Sequence, residues 1–185
     1  MTRFCAKASI NHFILSLIIL TIMSFLGCNS DQKEKETIHD PIVSTFYLIR
    51  HAEKDRSNLN DMDPELSQDG MGRTMRWAEI FESVPLDAIY TTNFKRTEMT
   101  AAPTSVKYNI DIQYYNANTL DIETLKGNHI GENVLIVGHS NTIPHTVNEL
   151  LGEEKYSDML DDDNASLYIV RIIDDEATDI VLKMD

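Results

Sequence analysis

The chain has 185 residues, 30 of them acidic and 16 basic, and a net charge of −14 with histidine neutral. So acidic a surface repels nucleic acid and anionic lipid headgroups, and no nucleic-acid partner is expected. Its two cysteines, Cys5 and Cys28, both lie near the start, which excludes disulfides, thiolate metal sites and cysteine nucleophiles from the rest of the chain.

The first 28 residues differ from the rest of the chain. Arg3 and Lys7 are the only charges before Asp31, and FILSLIILTIMSFL (13–26) leads into Gly27 and Cys28. A basic start, a short apolar stretch and a small residue before the cut is the pattern of a secretory signal. The apolar run is shorter than the ~20 residues that span a bilayer. Gly27-Cys28 resembles the lipobox of bacterial lipoproteins, with Phe25 where leucine is usual. The resemblance implies a signal peptide over 1–27, acylation of Cys28, and an exported chain held by lipid in the bacterial cell envelope, in the periplasm or at the outer membrane. An ordinary cleaved signal or an uncleaved N-terminal anchor is the alternative. Residues 28–42 are polar without apolar period and read as a flexible tether. Residues 43–185 are one domain, long enough for a core.

Within it, Val43–Arg50 contains FYLI, an apolar run of strand length. A helix is expected from a cap at Ser67, with Met71, Met75, Ala78 and Phe81 facing the core and Trp77 and Ile80 widening the stripe. LDAIYTT (86–92) reads as a strand, and Lys95–Lys107 as a helix bent or broken near Pro103. IDIQYY (110–115) alternates as a strand does, and 119–130 is a weak helix. NVLIVGH (133–139) suits a strand buried on both faces. Ser140 or Asn141 is expected to cap the next helix, with Pro144 in its first turn. SLYIVRII (166–173) and DIVLKM (179–184) read as an edge hairpin around DDEAT. Asp161–Asp163 reads as a solvated loop. Alternating strands and helices predict an α/β domain with a mainly parallel sheet covered by helices.

In such sheets ligands sit beyond the carboxyl ends of the strands. There the first strand ends in Arg50 and His51, LDAIYTT is soon followed by Arg96, and NVLIVGH ends in His139. Two guanidiniums and two imidazoles aimed at one spot repel one another unless an anion lies between them. Arginine suits phosphate because its planar fork bonds two oxygens at once. Among arginines, His51 can attack phosphorus and carry the phosphoryl group covalently. The pattern holds no metal-ligand spacing, and no cofactor is expected.

RHAEK (50–54), ELSQDG (65–70), TTNFKRTEMTA (91–101) and VGHSNT (137–142) resemble, in order and spacing, four motifs of the histidine phosphatase superfamily. That group includes phosphoglycerate mutases, acid phosphatases and phosphohistidine phosphatases. The resemblance implies a phosphoglycerate mutase-like three-layer α/β/α sandwich, with His51 as the phosphorylated nucleophile and Arg50, Arg96 and His139 on the phosphoryl oxygens. Ser140 either joins them or only caps a helix. Thr91 and Thr92 support the site or its turn. Ala52 replaces the usual glycine after the nucleophile. Many members carry a proton-donating acid on an inserted segment, for which this chain has no room. Glu53 is the first candidate acid, before Asp55 and Asp121, and its rival reading is a structural ion pair. Asn116, where short members often place an aspartate, cannot act as an acid.

The expected function is a metal-independent phosphatase for a small phosphorylated molecule or a phosphoprotein. The alternatives are a phosphohistidine phosphatase and a lipoprotein that binds phosphorylated ligands without turnover.

Overall fold

The β-branched and aromatic residues of VSTFYLIR favour an extended chain, and they form β1 (Val43–Arg50). The structure, a computed structural model, describes residues 40–184. The expected signal segment 1–27, Cys28 and the tether up to residue 39 lie outside the described residues. After β1 come α1 (Gln68–Ile80), β2 (Ala88–Thr92), α2 (Lys95–Tyr108), β3 (Ile112–Tyr115) and α3 (Ile122–Asn128). Then come β4 (Asn133–Gly138), α4 (Thr142–Leu151), β5 (Ser166–Ile173) and β6 (Glu176–Lys183). The sheet order is β3-β2-β4-β1-β5-β6. The first four strands in that order are parallel, and β5 and β6 add an antiparallel hairpin at one edge.

Alternation along β1 sends Phe46 and Leu48 to one face, where they meet Ile122 and Leu125 of α3 and Ile143 and Val147 of α4. Ile49 faces the other way, toward Trp77 of α1, Phe81 just after it and Ala101 of α2. The result is the expected three-layer α/β/α sandwich. Trp77, Phe46 and Phe81 are fully buried, and burying each such side chain is worth roughly 1.5–3 kcal/mol.

The core stripe of α1 differs from the expected one. It is Gly70, Thr74, Trp77 and Ala78, whereas Met71 and Met75 are 45% and 56% exposed. The helix is rotated because its first turn rests on the backbone of residue 53. Ser67 N–H donates to the Glu53 carbonyl at 2.8 Å, and a Cβ on Gly70 would lie 2.2 Å from that oxygen. Glycine alone permits the approach, and the Ser67 hydroxyl caps the helix by accepting from Gly70 N–H at 3.1 Å. Gly70→Ala is expected to destabilise the domain by about 1–3 kcal/mol. Chemical denaturation measures it, and unchanged stability would mean that α1 can shift away from residue 53 without cost.

Other elements differ in extent. α2 runs unbroken through Pro103, with only the Met99 carbonyl losing its helical donor. The β5–β6 turn shrinks to Asp174 and Asp175 at φ of 50° and 68°, a two-residue turn whose twist matches a hairpin. β6 therefore starts at Glu176. α3 is shorter than expected and begins where Asp121 caps it, accepting from the N–H groups of Glu123 and Thr124. That occupies one of the weighed acids.

Candidate active site

Parallel pairing brings the carboxyl ends of β1, β4 and β2 side by side, with Arg50 beside Gly138 and Val137 beside Thr91. The residues just beyond these strands converge as expected. Arg50, His51, Arg96, His139 and Ser140 line one open cavity of about 660 Å³, together with Lys54, Thr92, Phe94, Asn116 and Asp161.

His51 is 4% exposed. Its N–H donates to the Gly138 carbonyl at 2.9 Å, extending the β1–β4 ladder by one residue. Its Nδ1 lies 2.7 Å from the Ala52 carbonyl. A carbonyl only accepts, so Nδ1 carries the proton and Nε2 keeps a free lone pair. The loop is pinned from two more sides. Asn164 Nδ2 donates to the His51 carbonyl at 2.8 Å, and Ala52 N–H donates to Thr100 Oγ1 at 2.9 Å. Burial, then the neighbouring Arg50, His139 and Arg96, bring the His51 pKa down to about 3, against the Ala52 carbonyl, which raises it.

His139 is also neutral at neutral pH. Burial and then Arg96, Arg50 and Lys54 bring its pKa down to about 4. Arg96 Nη2 donates to its Nδ1 at 3.4 Å, so its Nε2 holds the proton and donates to Thr92 Oγ1 at 2.9 Å. Thr92 thus positions the second histidine. The Arg96 guanidinium lies 4.4 Å over the Phe94 ring, whose edge-to-face contact with His139 has a centroid distance of 5.2 Å. Phe94 therefore organises both groups, a role no spacing in the sequence announced.

Both imidazoles bind their protons more weakly in the folded state than in the unfolded one, where the ordinary value is near 6.5. Between these values the unfolded chain holds more protons, so stability is full above about pH 6.5 and falls as pH drops toward 4. The slope expected from His51 is about 1.4 kcal/mol per pH unit. Denaturation at pH 7 and pH 4.5 measures it, and His51→Asn should flatten the dependence. A variant with the wild-type slope would show that His51 does not titrate this way.

Arg50 is held by the segment that precedes β5. Its Nη1 donates to the carbonyls of Leu160, Asp161 and Asp163 at 2.9, 3.0 and 3.2 Å. Its Nη2 meets Asp161 Oδ1 at 3.3 Å. The Asp161–Asp163 run, expected as a solvated loop, is thus the clamp that fixes the first arginine. The Nε groups of Arg50 and Arg96 are buried and have no hydrogen-bond partner among the described residues.

Glu53 requires a correction. It does not line the His51–His139 cavity. Arg73 of α1 grips its carboxylate, with Nε at 2.8 Å from Oε1 and 3.0 Å from Oε2 and Nη2 at 2.7 Å from Oε1. Burial raises its pKa, but the hydrogen bonds and charge of Arg73, with the charge of Arg76, outweigh burial and hold it below the usual carboxylate range. It has no proton to donate at neutral pH. Ser140 does not cap α4 either. The N-cap residue is Asn141, without a side-chain hydrogen bond; Thr142 Oγ1 instead accepts from His139 N–H at 2.9 Å. The Ser140 carbonyl accepts from Met159 N–H at 2.9 Å, tying the α4 start to the segment that holds Arg50. His129, buried, is satisfied by Tyr90 Oη at 2.8 Å and Glu132 Oε2 at 2.7 Å, and His145 is exposed.

A sheet-edge pocket walled by two arginines and two neutral imidazoles defines an α/β protein with a site suited to a tetrahedral oxyanion. Residues 46–117 match the family model of the histidine phosphatase superfamily (branch 1). Over that segment the chain is similar to members of the superfamily. The matched segment contains Arg50, His51 and Arg96, and the fold adds His139 beyond it. Among solved structures, Bacillus stearothermophilus YhfR is 18% identical with a TM-score of 0.61, over 76% of this chain and 97% of that one. The α-ribazole phosphatase from Shigella flexneri is 15% identical with a TM-score of 0.59, over 75% and 96%. The protein histidine phosphatase SixA complexed with tungstate gives the same identity, TM-score and coverages. A comparison with curated protein sequences finds no match.

Proposed function

We propose that the domain is a phosphatase that hydrolyses phosphomonoesters through phosphorylation of His51. The observation that carries the reading is the 2.7 Å contact of His51 Nδ1 with the Ala52 carbonyl, which leaves Nε2 as the ring's basic nitrogen. Its Nδ1–H is fixed on the Ala52 carbonyl, and Nε2 is free and unprotonated at the floor of a cationic pocket. In the first step Nε2 attacks phosphorus, the P–N bond forms, and the ester P–O bond breaks with its electron pair leaving on oxygen. Arg50 and Arg96, which line the cavity, hold the non-bridging oxygens. His139 takes up a proton as the dianion arrives, because the added negative charge favours its charged form. Water then attacks phosphorus, the P–N bond breaks, and phosphate leaves with His51 neutral again. A SixA structure of this fold holds tungstate, another tetrahedral oxyanion.

A second reading, phosphohistidine as substrate, is favoured by one feature. The only carboxylate among the described residues lining the cavity is Asp161, which Arg56 foremost, and then Arg50, hold below the usual carboxylate range against the opposing effect of burial. A leaving group that needs little protonation suits such a wall. A role in binding without turnover leaves the fixed tautomer of His51 without purpose. We further propose that the chain is exported and anchored through lipid on Cys28, since Gly27-Cys28 closes an apolar run behind a basic start. Metabolic labelling with palmitate, lost in Cys28→Ser, tests the anchor.

The test of function is release of phosphate from an activated aryl phosphate by the purified full-length chain, beside His51→Ala. Phosphohistidine peptide runs in parallel. Equal rates for wild type and variant would overturn the proposal.

A further inference from the structure

A second opening of about 680 Å³ adjoins the cavity. It shares Arg50, His51, Lys54 and Asp161 with it and extends to Arg56. Three cations, Arg50, Lys54 and Arg56, share this opening with three carboxylates, of which Asp161 is one. Glu53 and Asp162 also border the opening, but Glu53 is spent on Arg73. Lys54 forms no ion pair among the described residues, and its charge reaches His139.

The position of Asp161 shows what the spare cations accept. Its Oδ2 lies 2.8 Å from Arg56 Nη2, and its Oδ1 lies 3.3 Å from Arg50 Nη2. One carboxylate therefore spans the rim guanidinium and the guanidinium that is to grip the phosphoryl group. The side chain is 74% exposed and can swing away. A phosphoryl dianion on Arg50 would repel it and free Arg56 for another negative group. A planar guanidinium beside a flexible ammonium suits a carboxylate or a second phosphate.

We propose that Lys54 and Arg56 form a subsite for a second anionic group on the substrate, with Asp161 occupying that subsite until the substrate displaces it. The inference rests on the phosphatase reading and adds the charge of the leaving portion: the natural substrate carries a carboxylate or another phosphate beside the phosphoryl group that is removed.

The test uses the full-length chain and a matched pair of esters, meta-carboxyphenyl phosphate and the neutral meta-carbamoylphenyl phosphate. The corresponding phosphonates, which do not turn over, are compared by calorimetry. Wild type should favour the carboxylate by about 10-fold or more in kcat/KM and in affinity, the range of a hydrogen bond to a charged partner. Arg56→Ala and Lys54→Ala should each shrink that ratio, and Asp161→Asn should widen it. A ratio near one in wild type overturns the subsite. So does a ratio that neither cation variant changes, or one that Asp161→Asn reduces. If neither ester is hydrolysed but the phosphonates still show an Arg56-dependent preference, the subsite stands and the phosphatase reading falls.

Discussion

His51→Ala is expected to lower kcat/KM for an activated aryl phosphate by about 10⁴-fold or more, because the covalent route is lost rather than weakened. The fold should survive, since the pinning contacts of residue 51 come from its backbone N–H and carbonyl. Wild type quenched in mid-turnover should carry phosphate on a histidine nitrogen, stable in alkali and labile in acid, and the variant should carry none. His51→Asn is the stricter control, because it keeps a polar side chain but offers no basic nitrogen. A phosphoenzyme in either variant, or turnover within tenfold of wild type, would move the chemistry to another residue.

Arg50→Ala should produce the second largest effect, on activity and stability together. Activity should fall by about 10²–10³-fold, the usual loss when a donor to the transferring group is removed. Stability should fall by about 3–5 kcal/mol, because three loop carbonyls and one carboxylate lose a buried partner at once. Hydrogen exchange should show residues 157–164 losing protection while β2 and α2 keep theirs. Arg50→Lys separates the two losses. An ammonium restores the charge but not the planar fork, so it should recover part of the stability and little of the rate. Full activity in Arg50→Lys would rule out two-pronged contact with the phosphoryl group.

Local chemistry made part of this site legible. The run FYLIRH places a buried strand and two functional groups in sequence, and VLIVGH repeats the device. Strand ends in a parallel sheet must then meet, so Arg50, His51, Arg96 and His139 were readable together. Contacts between distant side chains were not. Glu53 sits beside Lys54 in the sequence, but its partner is Arg73, one turn into a helix whose rotation is set by Gly70. Counting apolar residues in that helix picked the methionines, whereas a backbone contact selects glycine and threonine for the buried side. The clamp on Arg50 was hidden for another reason. It is made by main-chain carbonyls of 160, 161 and 163, and a carbonyl has no signature in the amino-acid letters. The acidic side chains there pointed to solvent exposure, while the backbone beneath them does the holding.

The placement of β1 between β4 and β5 bears on how the chain acquires its structure. The first of the described strands is central, and its neighbours β4 and β5 are the fourth and fifth of six, so its ladder pairs Tyr47 with the distant Leu135 and Ile169. Such high contact order makes for slow folding. On a translating ribosome β1 would emerge with its apolar FYLI run unpaired and wait for most of the chain to be made. Until residues 160–163 have been made there is no clamp for Arg50, so a nascent chain or one truncated before them would be inert toward phosphate esters and prone to aggregate through its first strand. Catalytic competence would then be among the last properties the polypeptide gains.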